Sequence, residues 1–165
     1  MRVACLWLLL AVAALALGAC GGEKIDARKS ERFVRGVVVR QIGVRVRSVR
    51  CPENVEIRRN TGFTCLVTGT DGSVGRVSVR QIDDNANIAV NAPFLHMRDV
   101  EDSMAGPLGR QVKATVTVRC PEIVTVREQG LFRCRARYDG STRRVSARMT
   151  DETGRFRYRL AARPG

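Results

Sequence analysis

The sequence predicts an α+β fold built of two tandem repeats, each a helix followed by a four-stranded antiparallel sheet with an internal disulfide. Three observations lead there. Val49-Arg50-Cys51-Pro52-Glu53, ending at Phe63-Thr64-Cys65, returns 69 residues later as Val118-Arg119-Cys120-Pro121-Glu122, ending at Phe132-Arg133-Cys134. Ahead of the first copy, apolar residues fall at three- and four-residue intervals; within both, apolar and polar residues alternate as in half-buried strands. In each copy the cysteines stand 14 positions apart, so each repeat carries its own covalent clamp.

The chain begins Met1-Arg2 and runs apolar from Leu6 to Leu17, ending in Leu17-Gly18-Ala19-Cys20. That run is shorter than the roughly 20 apolar residues of a bilayer-spanning helix, and its small residues suit a peptidase groove, so residues 1–19 are expected to be a signal peptide. Its box of Leu, two small residues and Cys resembles bacterial lipoprotein signals. The resemblance implies cleavage before Cys20 and a diacylglycerol on the Cys20 sulfur, two chains being enough for stable anchoring. An ordinary secretory signal with a coincidental Cys is the alternative.

Residues 20–29 are polar and short, the expected tether; repeat 1 is expected over 30–95 and repeat 2 over 96–165. Ser30 is the expected N-cap of a helix carrying Phe33, Val34, Val37, Val38, Gln41 and Ile42, ended by Gly43. The equivalent segment of repeat 2, around Arg98 to Ala105, meets Gly106-Pro107, which predicts a short or broken helix. Period-two alternation follows. Ala114, Val116, Val118 and Cys120 form one inward face; Phe132, Cys134, Ala136 and Tyr138 form the next, with the Asp139-Gly140 turn behind them. Val145, Ala147 and Met149, then Phe156, Tyr158 and Leu160, complete the sheet. Repeat 1 matches with Phe63, Cys65 and Val67, the Asp71-Gly72 turn, Val77 and Val79, then Ile88, Val90 and Ala92. Val44 and Val46 are out of phase with Val49 and Cys51, which predicts a bulge near Arg47 or a late start.

Each repeat is only about 65 to 70 residues, a size at which a core alone is marginal and exported domains commonly add disulfides. With Cys5 removed in the leader and Cys20 lipidated, repeat symmetry pairs Cys51 with Cys65 and Cys120 with Cys134. Each bridge closes 15 residues, for which chain entropy gives about 3 kcal/mol. The sequence offers no metal or cofactor site: it has no Cys-x-x-Cys, and His96 is its single histidine.

The Cys-Pro-x-x-Val motif after a helix, the Phe-x-Cys about a dozen residues on and the Gly-turned hairpin together resemble the actinobacterial domain of unknown function 4333, over about Glu31 to Val90 and, more loosely, Arg98 to Leu160. That family typically appears on exported lipoproteins and other envelope proteins and brings no known activity. Its members tend to place Gly just before the Phe, as Gly62-Phe63 does; repeat 2 departs with Gly130-Leu131-Phe132. Tandem helix-plus-sheet units with local disulfides also look like the β-lactamase inhibitor proteins, which bind an enzyme with a concave sheet face; no recognition residue carries over.

Nothing in the sequence assembles a nucleophile with a base. His96 lies in the junction as a linker or packing residue. Asp83-Asp84 and Asp151-Glu152 fall at matching positions between strands, where turn carboxylates accept backbone hydrogen bonds. The expectation is a non-enzymatic binding module. The formal charge of +13 is carried by 26 Arg and 3 Lys, and alternation sends Arg119, Arg133, Arg135, Arg137, Arg144, Arg148, Arg155, Arg157 and Arg159 to one face of the second sheet. A GC-rich genome writes Arg for dull reasons, so the residue type alone does not specify phosphate. The sign of the charge does specify anions, which outside a membrane are wall polymers, lipid head groups and acidic proteins rather than nucleic acid. Repeat 2 is the more basic, with 15 basic against 8 acidic residues over 96–165 and 10 against 6 over 31–95. The expected protein is thus an envelope lipoprotein on the outer face of the cell membrane, binding anionic components through this face. The alternatives are an inhibitor-like module directed at an envelope enzyme and a face that is merely solvated.

Overall fold

The computed structural model describes residues 22–162; Cys20 and the leader lie outside them. Two copies of one architecture follow each other. Helix α1 (Ala27–Ile42) leads into β1 (Val46–Arg50), β2 (Gly62–Gly69), β3 (Val74–Gln81) and β4 (Ile88–Asn91). Helix α2 (Met97–Val112) leads into β5 (Thr117–Arg119), β6 (Leu131–Tyr138), β7 (Ser141–Met149) and β8 (Phe156–Leu160). Each sheet is an antiparallel meander in chain order, and both expected disulfides form. The cysteines continue the pairings Arg50–Leu66 and Arg119–Arg135 by one step, so each bridge ties the end of its repeat's first strand to the second strand.

Burial follows the alternation. Val34, Val38 and Ile42 of α1 pack on Cys65, Val67, Val77 and Val79; Met97, Val100, Met104 and Leu108 of α2 pack on Phe132, Cys134, Ala136, Val145 and Met149. At the end of β6, Asp139 and Gly140 both adopt positive φ, 47° and 72°, as a two-residue type I′ turn requires. Repeat 1 spends one more residue in the equivalent hairpin. The β1–β2 register shifts between Val46 and Ser48, which places the expected bulge at Arg47.

Four expectations are corrected. The N-cap of α1 is Asp26, whose carboxylate accepts from Lys29 N at 3.0 Å; Ser30 lies inside the helix, buried, its hydroxyl donating to Asp26 O. The buried stripe is therefore Ser30, Val34, Val38 and Ile42, while Phe33 is left 46% exposed. The tether is shorter than its polarity suggests: Ile25 N donates to Val55 O, Ile57 N donates to Glu23 O, and Ile25 is buried. Helix α2 is neither short nor broken, matching α1 at 16 residues with Pro107 inside it. Pro107 removes a bond to the Ser103 carbonyl, but both residues lie on the exposed face, where water can take that carbonyl. Met104 and Leu108, on either side, are fully buried and hold the two halves in line.

The missing Gly before Phe132 changes nothing in the turn. Gln129 takes positive φ as Asn60 does, 56° and 62°, and Gly130 N donates to Arg127 O as Thr61 N donates to Arg58 O. Other equivalences are invisible in a reading for identity. Glu31 and Glu101, one on each helix, accept from the backbone N–H of Cys51 and Cys120. Gln81, fully buried, accepts from Arg58 N where Met149 sulfur accepts from Arg127 N.

The junction is built from differences between the copies. Repeat 2 has Ile123 where repeat 1 has the exposed Asn54, and Ile123 is buried in the core of repeat 1 with Phe94. The space comes from Gly75, where a Cβ would sit 2.5 Å from Ile123 Cγ2. Beside it, the Glu122 carboxylate accepts from Thr70 N at 2.5 Å and from the Thr70 hydroxyl, Asp71 Oδ2 accepts from Glu122 N, and Ser73 Oγ accepts from Ile123 N.

A basic face on the second sheet

Pairing register converts the alternation into rows. On the outer face of the second sheet Arg119, Arg135 and Arg144 stand directly opposite one another across β5, β6 and β7. Arg133, Ser146 and Arg159 form a second row, Arg148 and Arg157 a third, and Thr117, Arg137 and Thr142 a fourth. Arg155 precedes β8 in the adjoining turn, and all these arginines are exposed. The structure thus brings together every arginine expected on this face. No strand of the sheet carries Asp or Glu. Among the described residues, the one ion pair touching the face joins Arg119 to Glu101 at 3.1 Å.

Part of the face is concave. Thr117, Arg119, Arg133, Arg135, Arg137 and Thr142 line a trough of about 650 Å³ that Cys120, Pro121 and Asp71 complete. Asp71 belongs to repeat 1, so the junction supplies a wall that the sequence does not announce. Burial pushes its carboxyl up, but hydrogen bonds from the Ser73 hydroxyl and from the backbone N–H of Glu122 and Ser73 outweigh that and hold it below the ordinary value. Its oxygens are taken up within the junction.

Arg143 is the exception among the β7 arginines. It points inward, half-buried, with Nη1 donating to the Tyr138 hydroxyl at 2.7 Å and Nη2 to Ala161 O.

The carboxylate pairs sit where turn chemistry puts them. Asp83 accepts from Asn87 Nδ2 and from Asn85 N and Asn87 N; Asp151 accepts from the hydroxyl and N–H of Thr153 and from Arg155 N. These bonds hold both carboxyls below the ordinary value. Asp84 accepts from Arg59 N, and His96 is exposed at the N-cap position of α2 without a side-chain capping bond. Among the described residues, no three His, Cys, Asp or Glu side chains gather as metal ligands would, and no helix is long and apolar enough to cross a membrane.

No curated protein and no solved structure matches the chain. Residues 9–86, which include α1 and β1 to β3 and stop before β4, are similar to the family described as Domain of unknown function (DUF4333).

Proposed function

We propose that this is a membrane-anchored lipoprotein of the cell envelope, held on the outer face of the membrane through Cys20. In this reading it acts as a non-enzymatic binding module whose second sheet takes anionic envelope components, and repeat 2 is a diverged copy of the domain matched in repeat 1. The observation that carries the reading is an internal control. The same scaffold is built twice, with nine arginines on the outer face of repeat 2 and three, Arg50, Arg76 and Arg80, at the equivalent positions of repeat 1.

On the strand facing the trough, Arg133, Arg135 and Arg137 stand where repeat 1 has Thr64, Leu66 and Thr68. A genomic preference for Arg acts on both copies alike, and the fold plainly stands without these three. Like charges opposed across strands destabilise a sheet, so their accumulation in one copy is accounted for by an anion that lies over them.

The anchor fits the shortened tether. Three peptide steps from Cys20 to Glu23 reach at most about 11 Å, so repeat 1 is the membrane-proximal unit. Intact-mass analysis of the exported protein should show a diacylglyceryl group on Cys20; an unmodified sulfur sinks the anchor. Retention of the anchor-free Cys20→Ser chain on envelope material should fall steeply with salt, and salt-independent retention sinks the anionic ligand.

A second reading, an inhibitor-like module directed at an envelope enzyme, draws on Leu66, Val74 and Leu131. They are 42%, 58% and 60% exposed and line a groove of about 740 Å³ between the two sheets. Stoichiometric capture of one envelope protein, lost on Leu131→Ser, favours that reading.

A further inference from the structure

We infer that the occupant of the basic face is a linear polyanion threaded along β6 through the trough, rather than a lipid surface or a single anion. The inference rests on the anionic-ligand reading above and narrows it. Arg133, Arg135 and Arg137 project from one side of β6 at every second residue, a spacing of about 6.8 Å, so three guanidinium groups mark a line of about 14 Å. The row across the strands crosses that line at Arg135, with Arg119 and Arg144 on either side.

A single small anion satisfies one or two of these groups and leaves the others opposed. A chain with a charge on each unit neutralises the line in one event, each later contact being intramolecular. Shape separates thread from membrane: a bilayer is flat, and the line of arginines runs in a concavity walled by Pro121 and Asp71. Thr117 and Thr142, flanking Arg137, add neutral hydroxyl donors on the same floor. The charges of the polymer can be phosphate or carboxylate, since Arg forks take both in pairs of hydrogen bonds.

The test uses the chain with Cys20→Ser, which leaves no site for the anchor, its disulfides intact and no detergent present, so that vesicle binding reports on the face alone. The probes are linear polyphosphate, polyglutamate, orthophosphate and phosphatidylglycerol vesicles. At least one polymer should bind tenfold or more tighter, per charge, than orthophosphate. For four free arginines, Arg133, Arg135, Arg137 and Arg144, counterion release gives a slope of log affinity on log salt of about −3. Arg135→Gln with Arg137→Gln should weaken binding at least tenfold and make that slope shallower by about 1.4. Arg157→Gln with Arg159→Gln, off the line, should cost less, and Arg135→Lys with Arg137→Lys should keep most of the salt slope. Tight vesicle binding with polymers no better than orthophosphate overturns the thread and leaves the anionic reading standing. Equal losses in the two Gln pairs also overturn the thread. Binding to none of the probes overturns both.

Discussion

Neutralising Arg135 should make the free protein more stable, not less, at low salt. Its arm leaves the sheet between those of Arg119 and Arg144, directly opposite on the neighbouring strands. Arms splayed to roughly 7 Å repel by about 0.6 kcal/mol per pair in water, so the two neighbours together cost about 1.2 kcal/mol. Glu101, 3.1 Å from Arg119, takes part of that away, and screening over about 10 Å at 0.1 M removes about half of the rest. Arg135→Gln should therefore gain about 0.5–1 kcal/mol in about 10 mM salt and nothing measurable near 1 M. Urea unfolding followed by circular dichroism, with disulfides intact and salt varied, reads this directly. Arg76→Gln in repeat 1, where Leu66 stands opposite, is the control and should show no salt-dependent gain. Adding linear polyphosphate should reverse the order, since a ligand that binds the folded state stabilises the parent more than the variant. A loss of stability in Arg135→Gln at low salt, or a gain that ignores salt, refutes the reasoning.

Three further outcomes follow from the fold. Pro107→Ala should raise stability by roughly 1–3 kcal/mol, because the substitution restores a helical hydrogen bond on an exposed face; an unchanged unfolding midpoint counts against a continuous α2. Replacing Cys120 and Cys134 together by Ser should cost about 3 kcal/mol by denaturant unfolding, the loop-closure entropy of 15 residues; a loss below about 1 kcal/mol shows that the native strand pairing already closes the loop. Asp71, held below its ordinary value of 3.8 in the fold, stabilises above that value and loses its contribution as the pH falls through the lower one. Asp71→Asn should therefore flatten the stability curve below about pH 4, and parallel acid limbs in parent and variant refute its role at the junction.

Strand order, hairpin turns, disulfides and the basic face were legible because each depends on local spacing. Alternation every second residue fixes which side Arg133 and Cys134 take, and symmetry between copies fixes the cysteine partners. What stayed hidden depends on contacts between distant segments. Residues 20–29 read as a tether, yet Glu23 and Ile25 bond through their backbone to Ile57 and Val55, and Ala27 already opens α1. Pro107 obeys the rule for helix breakers locally, and burial of Met104 and Leu108 overrides it. Glu31 and Glu101 look like ordinary solvated helix residues until the fold brings a cysteine N–H to each. The trough was invisible because one of its walls comes from the other repeat.

The two copies also differ in what each can receive at its hairpin end. Repeat 1 receives the Glu122–Ile123 loop of repeat 2 beside Gly69 and Gly75, two positions where any side chain would collide with that loop. The equivalent positions of repeat 2 hold Tyr138 and Arg143, which fill the same space from within and bond to each other at 2.7 Å. A loop like Glu122–Ile123 could not dock there in the same way. Polar groups of its own thus close that end of repeat 2. Its sheet face is likewise released from any packing role, since no described element of repeat 1 other than the Asp71 turn reaches the trough. The differences between the copies thus fall into two sets: glycines and Asn54 in the first unit, Ile123 and the arginines in the second. A docking platform and a charged surface arise from one scaffold by changing what points outward.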